Sequence, residues 1–149
     1  MLVVVFIDLD GFKEVNDLYG HEVGDQVLLE VRNRLLASFR RTDTVSRLGG
    51  DEFVVLFQDA NDWAMCEKLL KLLPDLLGEP YPVNGHHITG VGASLGVSIY
   101  PRDGSTPEIL ISHADMAMYA AKRAGKGRLR SFSDMDIITN SADQLTANS

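Results

Sequence analysis

Residues 2–7, Leu-Val-Val-Val-Phe-Ile, form an unbroken apolar run that ends at Asp8-Leu9-Asp10-Gly11. An apolar stretch without alternation fits a central strand buried on both faces. Such a strand demands a sheet with a layer packed on each side. Its end is just as constraining. Two carboxylates, a glycine and, at Lys13, a cation follow the run directly. That pattern fits either a metal with a phosphate or a solvated turn.

The rest of the chain supplies the partners of that strand. A short helical turn is expected over Phe12 to Leu18. From about Asp25, Leu28, Val31, Leu35 and Phe39 recur at helical spacing. Residues 44–57, TVSRLGGDEFVVLF, read as two strands joined across Gly49-Gly50. A further amphipathic helix is expected over 62–73, stopped near Pro74 or Gly78. Residues 93–100 alternate, with Leu95, Val97 and Ile99 on one face and Ser94, Gly96 and Ser98 on the other. Thr106 and Pro107 open a last helix as N-cap and first residue. Leu110, Ala114, Ala117 and Ala121 mark its packing face, and Gly125 closes it. A small extra strand is expected near His86–Ile88. The fold class is α/β, a sandwich in which one mixed or antiparallel sheet is covered by helices. One domain is expected over 1–132, with 133–149 as a polar tail or linker.

Composition narrows the partners. The net charge is −7, and a polyanionic nucleic acid needs a basic face, so no nucleic acid polymer is expected. The single cysteine, Cys66, allows no internal disulfide and reads as a packing thiol. The opening apolar run meets Asp8 too soon for a signal peptide or a membrane segment, so a cytoplasmic setting is the expectation.

Asp51 and Glu52 follow the glycine pair, where another group can approach the backbone closely. If the first strand lies beside that hairpin, Asp8 faces Asp51. Carboxylate oxygens from separate elements suit Mg²⁺, which prefers one or two carboxylates plus phosphate oxygens. Lys13, Lys122 and Lys126 could then offset phosphate charge. The alternative is a hairpin turn with Asp10 as a cap and the lysines on a solvated face. The match of residues 92–96 to G-x-S-x-G lacks the strand–turn–helix setting of a nucleophile, since Ser94 continues in a strand.

Together, "RLGGDEF" (47–53) and "FIDLDGFKEVNDLYGHEVGD" (6–25) closely resemble the GGDEF domain of diguanylate cyclases. "ASLGVSIYP" and "ADMAMYAAKRAGKG" support the resemblance, which covers roughly residues 2–132. It implies a fold like that of nucleotidyl cyclases and the condensation of two GTP into cyclic di-GMP with release of two pyrophosphates. Each domain would hold one GTP, so catalysis would need a homodimer, with Mg²⁺ or Mn²⁺ as cofactor.

By the same resemblance, Asp8, Asp51 and the Leu9 carbonyl are metal ligands. Glu52 stands near the metal or the reacting groups. Asn16 and Asp25 read guanine, and Gly11 and Phe12 offer backbone amides to phosphate. Lys13, Lys122 and Lys126 supply the cations, and Gly49 and Gly50 let the nucleotide lie against the hairpin. Arg40 and Asp43 match the R-x-x-D site at which cyclic di-GMP inhibits. The family usually carries a D-x-L-T-x-L-x-N-R segment on a preceding helix. Here the first strand begins at Met1, so part of residues 2–7 is expected to lack cover and turnover to suffer. Lys126-Gly127 stands where Arg-Asn is more usual. A GTP- or cyclic-di-GMP-binding regulatory module with little turnover, part of a larger signalling protein, is the alternative.

Overall fold

The computed structural model describes residues 1–58 and 63–135. The end of the 133–149 tail, from residue 136 on, lies outside the described residues. In chain order the elements are β1 (Leu2–Asp10), α1 (Phe12–Tyr19), α2 (His21–Ser38), β2 (Thr44–Gly49), β3 (Glu52–Phe57), α3 (Trp63–Gly78), β4 (Tyr81–Val83), β5 (His86–Ile88), β6 (Gly92–Tyr100), α4 (Pro107–Arg123) and β7 (Leu129–Ser131). The main sheet runs β2-β3-β1-β6-β7. Its pairs are antiparallel except β6 with β7.

β1 is the middle strand, and its parity sorts the two cores. Val3, Val5, Ile7 and Leu9 pack with Val27, Val31 and Leu35 of α2 and Leu70, Leu73 and Leu77 of α3. Val4 and Phe6 pack with Leu110, Ala114 and Met118 of α4. Each buried Val, Leu, Ile, Phe or Met side chain among these stabilises the fold by about 1.5–3 kcal/mol. The expectation of an uncovered β1 therefore fails. Val3 through Ile7 are at most 5% exposed, because α4 closes the second face.

The small residues of β6 let α4 come that close. A Cβ on Gly96 would stand 1.9 Å from the Ala114 carbonyl oxygen and 2.2 Å from the Met118 nitrogen. Beside it, the Ser98 hydroxyl donates to the Leu110 carbonyl at 2.6 Å. The alternation in 93–100 is thus a large face for α2 and α3 and a small face for α4, with neither in solvent.

The ends of α4 follow the sequence. The Thr106 hydroxyl accepts from the Ile109 amide at 3.2 Å, with Pro107 behind it. At the other end Gly125 takes φ +122°, its amide meets the Lys122 carbonyl, and the Lys126 amide meets the Ala121 carbonyl. This is a Schellman closure.

α3 runs through Pro74 and stops at Gly78, the later of the two ends that the sequence allowed. The proline removes one amide from the helix ladder. Buried Leu73 and Leu77 hold the helix on either side of it, and Arg34 donates to the carbonyls of Leu76, Glu79 and Pro80 at its end. β5 pairs with β4 across Asn84-Gly85, both at positive φ, as a tight hairpin requires. β4 and β7 are short strands absent from the sequence reading.

Candidate functional site

The C-terminal end of β1 gathers charge from three directions. Asp8 pairs with Glu52 on β3, and the Leu9 amide donates to the Asp51 carbonyl at 3.1 Å. The expected meeting of strand end and Gly-Gly-Asp-Glu turn is therefore present. The Lys122 ammonium, in the last turn of α4, lies 3.4 Å from Asp8 Oδ1 and 3.3 Å from Asp10 Oδ1. Burial pushes the Asp8 pKa up, the nearby Asp51 adds to this, and Lys122 opposes it; the result is about 6. Burial works against the charge on Lys122, but Asp8 and then Asp10 outweigh it, and its pKa is raised. The pair is lopsided because Asp8 also faces Asp51 and Glu52, whereas Lys122 faces two carboxylates.

Asp10 does not cap a helix, as the alternative reading held. The cap position of α1 is Gly11. Asp10 is only 8% exposed, and its oxygens accept from the Ser94 hydroxyl at 3.0 Å, from Lys122, and from the Gly127 amide at 2.9 Å. Ser94 is thus a buried donor, in keeping with its exclusion as a nucleophile. The missed signal was parity. Residues two apart on a strand share a face, so Asp8 and Asp10 both point to the side that α4 covers.

The turn before β3 is open. Among the described residues, a Cβ on Gly49 or Gly50 would meet nothing within 4 Å. Arg47, which the sequence reading also passed over, donates from Nε to the Gly50 carbonyl at 2.9 Å and braces the turn. No three His, Cys, Asp or Glu side chains among the described residues stand together as a complete cation cage. Asp8 and Asp51 nevertheless fit a hard divalent cation. They are oxygen donors on adjoining elements, where burial first and the Asp51 charge second already raise the Asp8 pKa, and a Mg²⁺-type ion takes few carboxylates and completes its shell with water and phosphate.

Beyond β1, Phe12 and Lys13 begin α1, whose first turn has no side-chain cap and leaves amides for an anion. Lys13 is exposed, and Lys126 is exposed at φ +64° just past α4. Asn16 sits on α1 against Gly24 of α2, where a Cβ would stand 1.8 Å from Asn16 Oδ1. That oxygen is buried with no hydrogen-bond partner among the described residues. Asp25 is the next residue along α2. It is exposed and lines a cleft of about 410 Å³ with Leu28, Leu29, Arg32, Arg47 and Phe53.

Arg40 and Asp43 lie apart from this cluster, in the turn before β2. Asp43 accepts from the Arg40 amide at 2.9 Å and from the Gln58 amide at 3.4 Å. Its carboxylate therefore holds the turn and does not ion-pair with the Arg40 guanidinium, which is exposed.

A family model of the diguanylate cyclase GGDEF domain matches residues 1–128. The chain is 43% identical over 145 residues to the bifunctional diguanylate cyclase/cyclic di-GMP phosphodiesterase MucR of Pseudomonas aeruginosa, covering 95% of this chain and 20% of that protein. It is 37% identical over 139 residues to the diguanylate cyclase TpbB of the same species, covering 92% and 32%. The crystal structure of the TpbB GGDEF domain superposes with a TM-score of 0.82 at 38% identity, covering 87% of this chain and 81% of that one. The chain thus spans about a fifth to a third of these curated relatives. No helix of the described residues is long and apolar enough to cross a membrane.

Proposed function

Since this chain belongs to the GGDEF domain family of diguanylate cyclases, we propose that it binds GTP across the β1 end and α1 and joins it to the GTP of a second copy as cyclic di-GMP. The carrying observation is Asp8, held beside Asp51 with its pKa raised to about 6 and Lys122 within 3.4 Å. This is an acid pair at an open turn, its repulsion only partly offset by Lys122.

Asp8 and Asp51 would hold Mg²⁺ or Mn²⁺, with the Leu9 carbonyl and Glu52 completing the set. When bound, the ion stabilises charge on phosphate and favours loss of the 3′-hydroxyl proton. The chain's own residues do the remainder. The first amides of α1, at Gly11 and Phe12, bind phosphate oxygens, and Lys13, Lys122 and Lys126 balance their charge. The unpartnered Asn16 Oδ1 and the Asp25 carboxylate accept from the guanine N–H groups. The open space over Gly49 and Gly50 admits the nucleotide. Arg40, with Asp43 bracing its turn, receives the product as an inhibitor.

The purified chain is incubated with GTP and Mg²⁺ or Mn²⁺ and assayed for cyclic di-GMP and pyrophosphate. Asp51→Asn should fold yet lose on the order of 10²–10³ in rate. Full turnover by that variant would remove Asp51 from the chemistry. Binding of GTP with no product from the parent chain would favour a regulatory module.

A further inference from the structure

The most heavily bonded carboxylate near the site is Asp10, to which the reading above gives no role. On that reading, we propose that Asp10 is a positioning residue. Its buried carboxylate, braced by the Ser94 hydroxyl, fixes Lys122 and the Lys126-Gly127 turn at the β1 end before a nucleotide arrives.

Three separate elements converge on this one group. Ser94 reaches it from β6, Lys122 from α4 and the Gly127 amide from the segment before β7. The Gly127 bond ties down the backbone immediately after Lys126, so one carboxylate orders both candidate phosphate-binding lysines. Lys122 has a second partner in Asp8, but that partner is not dependable. Asp8 is repelled by Asp51 and is the group expected to be taken up by an ion. Once its charge is engaged elsewhere, Asp10 is what keeps the ammonium in place. Asp10 is also the better buried of the two, with a side chain 10% exposed against 17% for Asp8. A fixed lysine loses little side-chain freedom on meeting phosphate, so the arrangement favours binding by preorganisation.

The test is a double-mutant cycle on nucleotide affinity, using 3′-deoxy-GTP with Mn²⁺, which binds but lacks the attacking hydroxyl. Asp10→Asn, Lys122→Ala and the double variant are compared with the parent by calorimetry, and each is checked by thermal unfolding. Asn retains the shape of the side chain and its acceptor for Gly127 but removes the charge that holds Lys122. Each single change should weaken binding about 10–100-fold, the usual range for a supporting partner, and the double variant should bind no worse than Lys122→Ala. A merely structural Asp10 would give losses that multiply. Multiplying losses, or parent-like binding by Asp10→Asn, would overturn the proposal. Parent-like binding by Lys122→Ala would instead overturn the phosphate role of Lys122, and the proposal with it. If Asp10→Asn does not fold, Ser94→Ala, which leaves the carboxylate but removes its brace, enters the same cycle. A Ser94→Ala protein that binds like the parent, or that also fails to fold, would make this group a folding element and nothing more.

Discussion

Asp8 is a residue at which folding and function pull in opposite directions. Its carboxyl titrates near 6 in the folded protein, against an ordinary 3.8. Folding therefore favours the neutral form. The stability this lends is complete below about 3.8 and is lost as the pH rises through 6. Above that range the ionised group weighs against the fold by about 3 kcal/mol at most. Asp8→Asn, neutral at every pH, should then melt several degrees above the parent at about pH 7.5 in a chelator, with the gap closing towards pH 4. Mn²⁺ should raise the melting temperature of the parent and not that of the variant. Equal melting points at neutral pH would mean that Lys122 already neutralises Asp8. At this scale the sequence exposed Asp8 and Asp51 readily, because acids at a strand end and after a glycine pair are visible in one dimension. Asp10 was hidden because its partners are 84 to 117 residues away. Only the parity it shares with Asp8 hinted at where it points.

Among the elements, α4 lies backbone-close on β6. Ala114 and Met118 present backbone, not flexible side chain, to Gly96. Gly96→Ala therefore cannot be absorbed by a rotamer change, and overpacking of this kind costs about 1–3 kcal/mol or more. The relief available is for α4 to lift from β6, which carries Lys122 away from Asp8 and Asp10. The variant should unfold at lower temperature and also bind GTP more weakly, measured by thermal unfolding and calorimetry on one preparation. A lower melting point with parental affinity would show that the end of α4 is anchored independently of its middle. The small face of β6 was legible as alternation, yet nothing local said that a helix and not water would lie against it. The mistaken expectation of an uncovered β1 came instead from counting only the family's preceding helix as cover, although the packing face of α4 was already visible in Leu110, Ala114 and Ala117. The sequence leaves the end of α3 open between Gly78 and Pro74. Local rules end a helix there, and the packing of Leu77 beyond it, together with the Arg34 bonds at its end, overrides them. The Gly-Gly hairpin and the Thr106-Pro107 start were legible because backbone geometry itself selects those residues.

Over the whole molecule, the two candidate ligand sites lie at opposite ends of one edge strand. β2 separates Arg40 from the glycine turn by six residues, about 20 Å at the usual rise of a strand. A ligand at Arg40 thus cannot touch a nucleotide at Asp51 of the same copy. Any feedback must act on how two copies meet or on the strand between the sites. The Arg40 guanidinium is exposed, while Asp43 and its backbone bonds maintain the turn without it. Arg40→Ala should therefore remove a charged hydrogen-bonding group and leave the fold intact. Contacts of that kind contribute about 1.5–3 kcal/mol, so cyclic di-GMP binding should weaken roughly 10–100-fold. GTP binding should stay within about twofold, because the length of β2 separates this turn from the β1 end. In the product assay the same variant should run on at concentrations of cyclic di-GMP that stall the parent. Calorimetry with each ligand in turn decides the matter. Selective loss of the cyclic dinucleotide supports a separate inhibitory site on this face, whereas equal loss of both would make Arg40 part of the scaffold that holds β2 against β3.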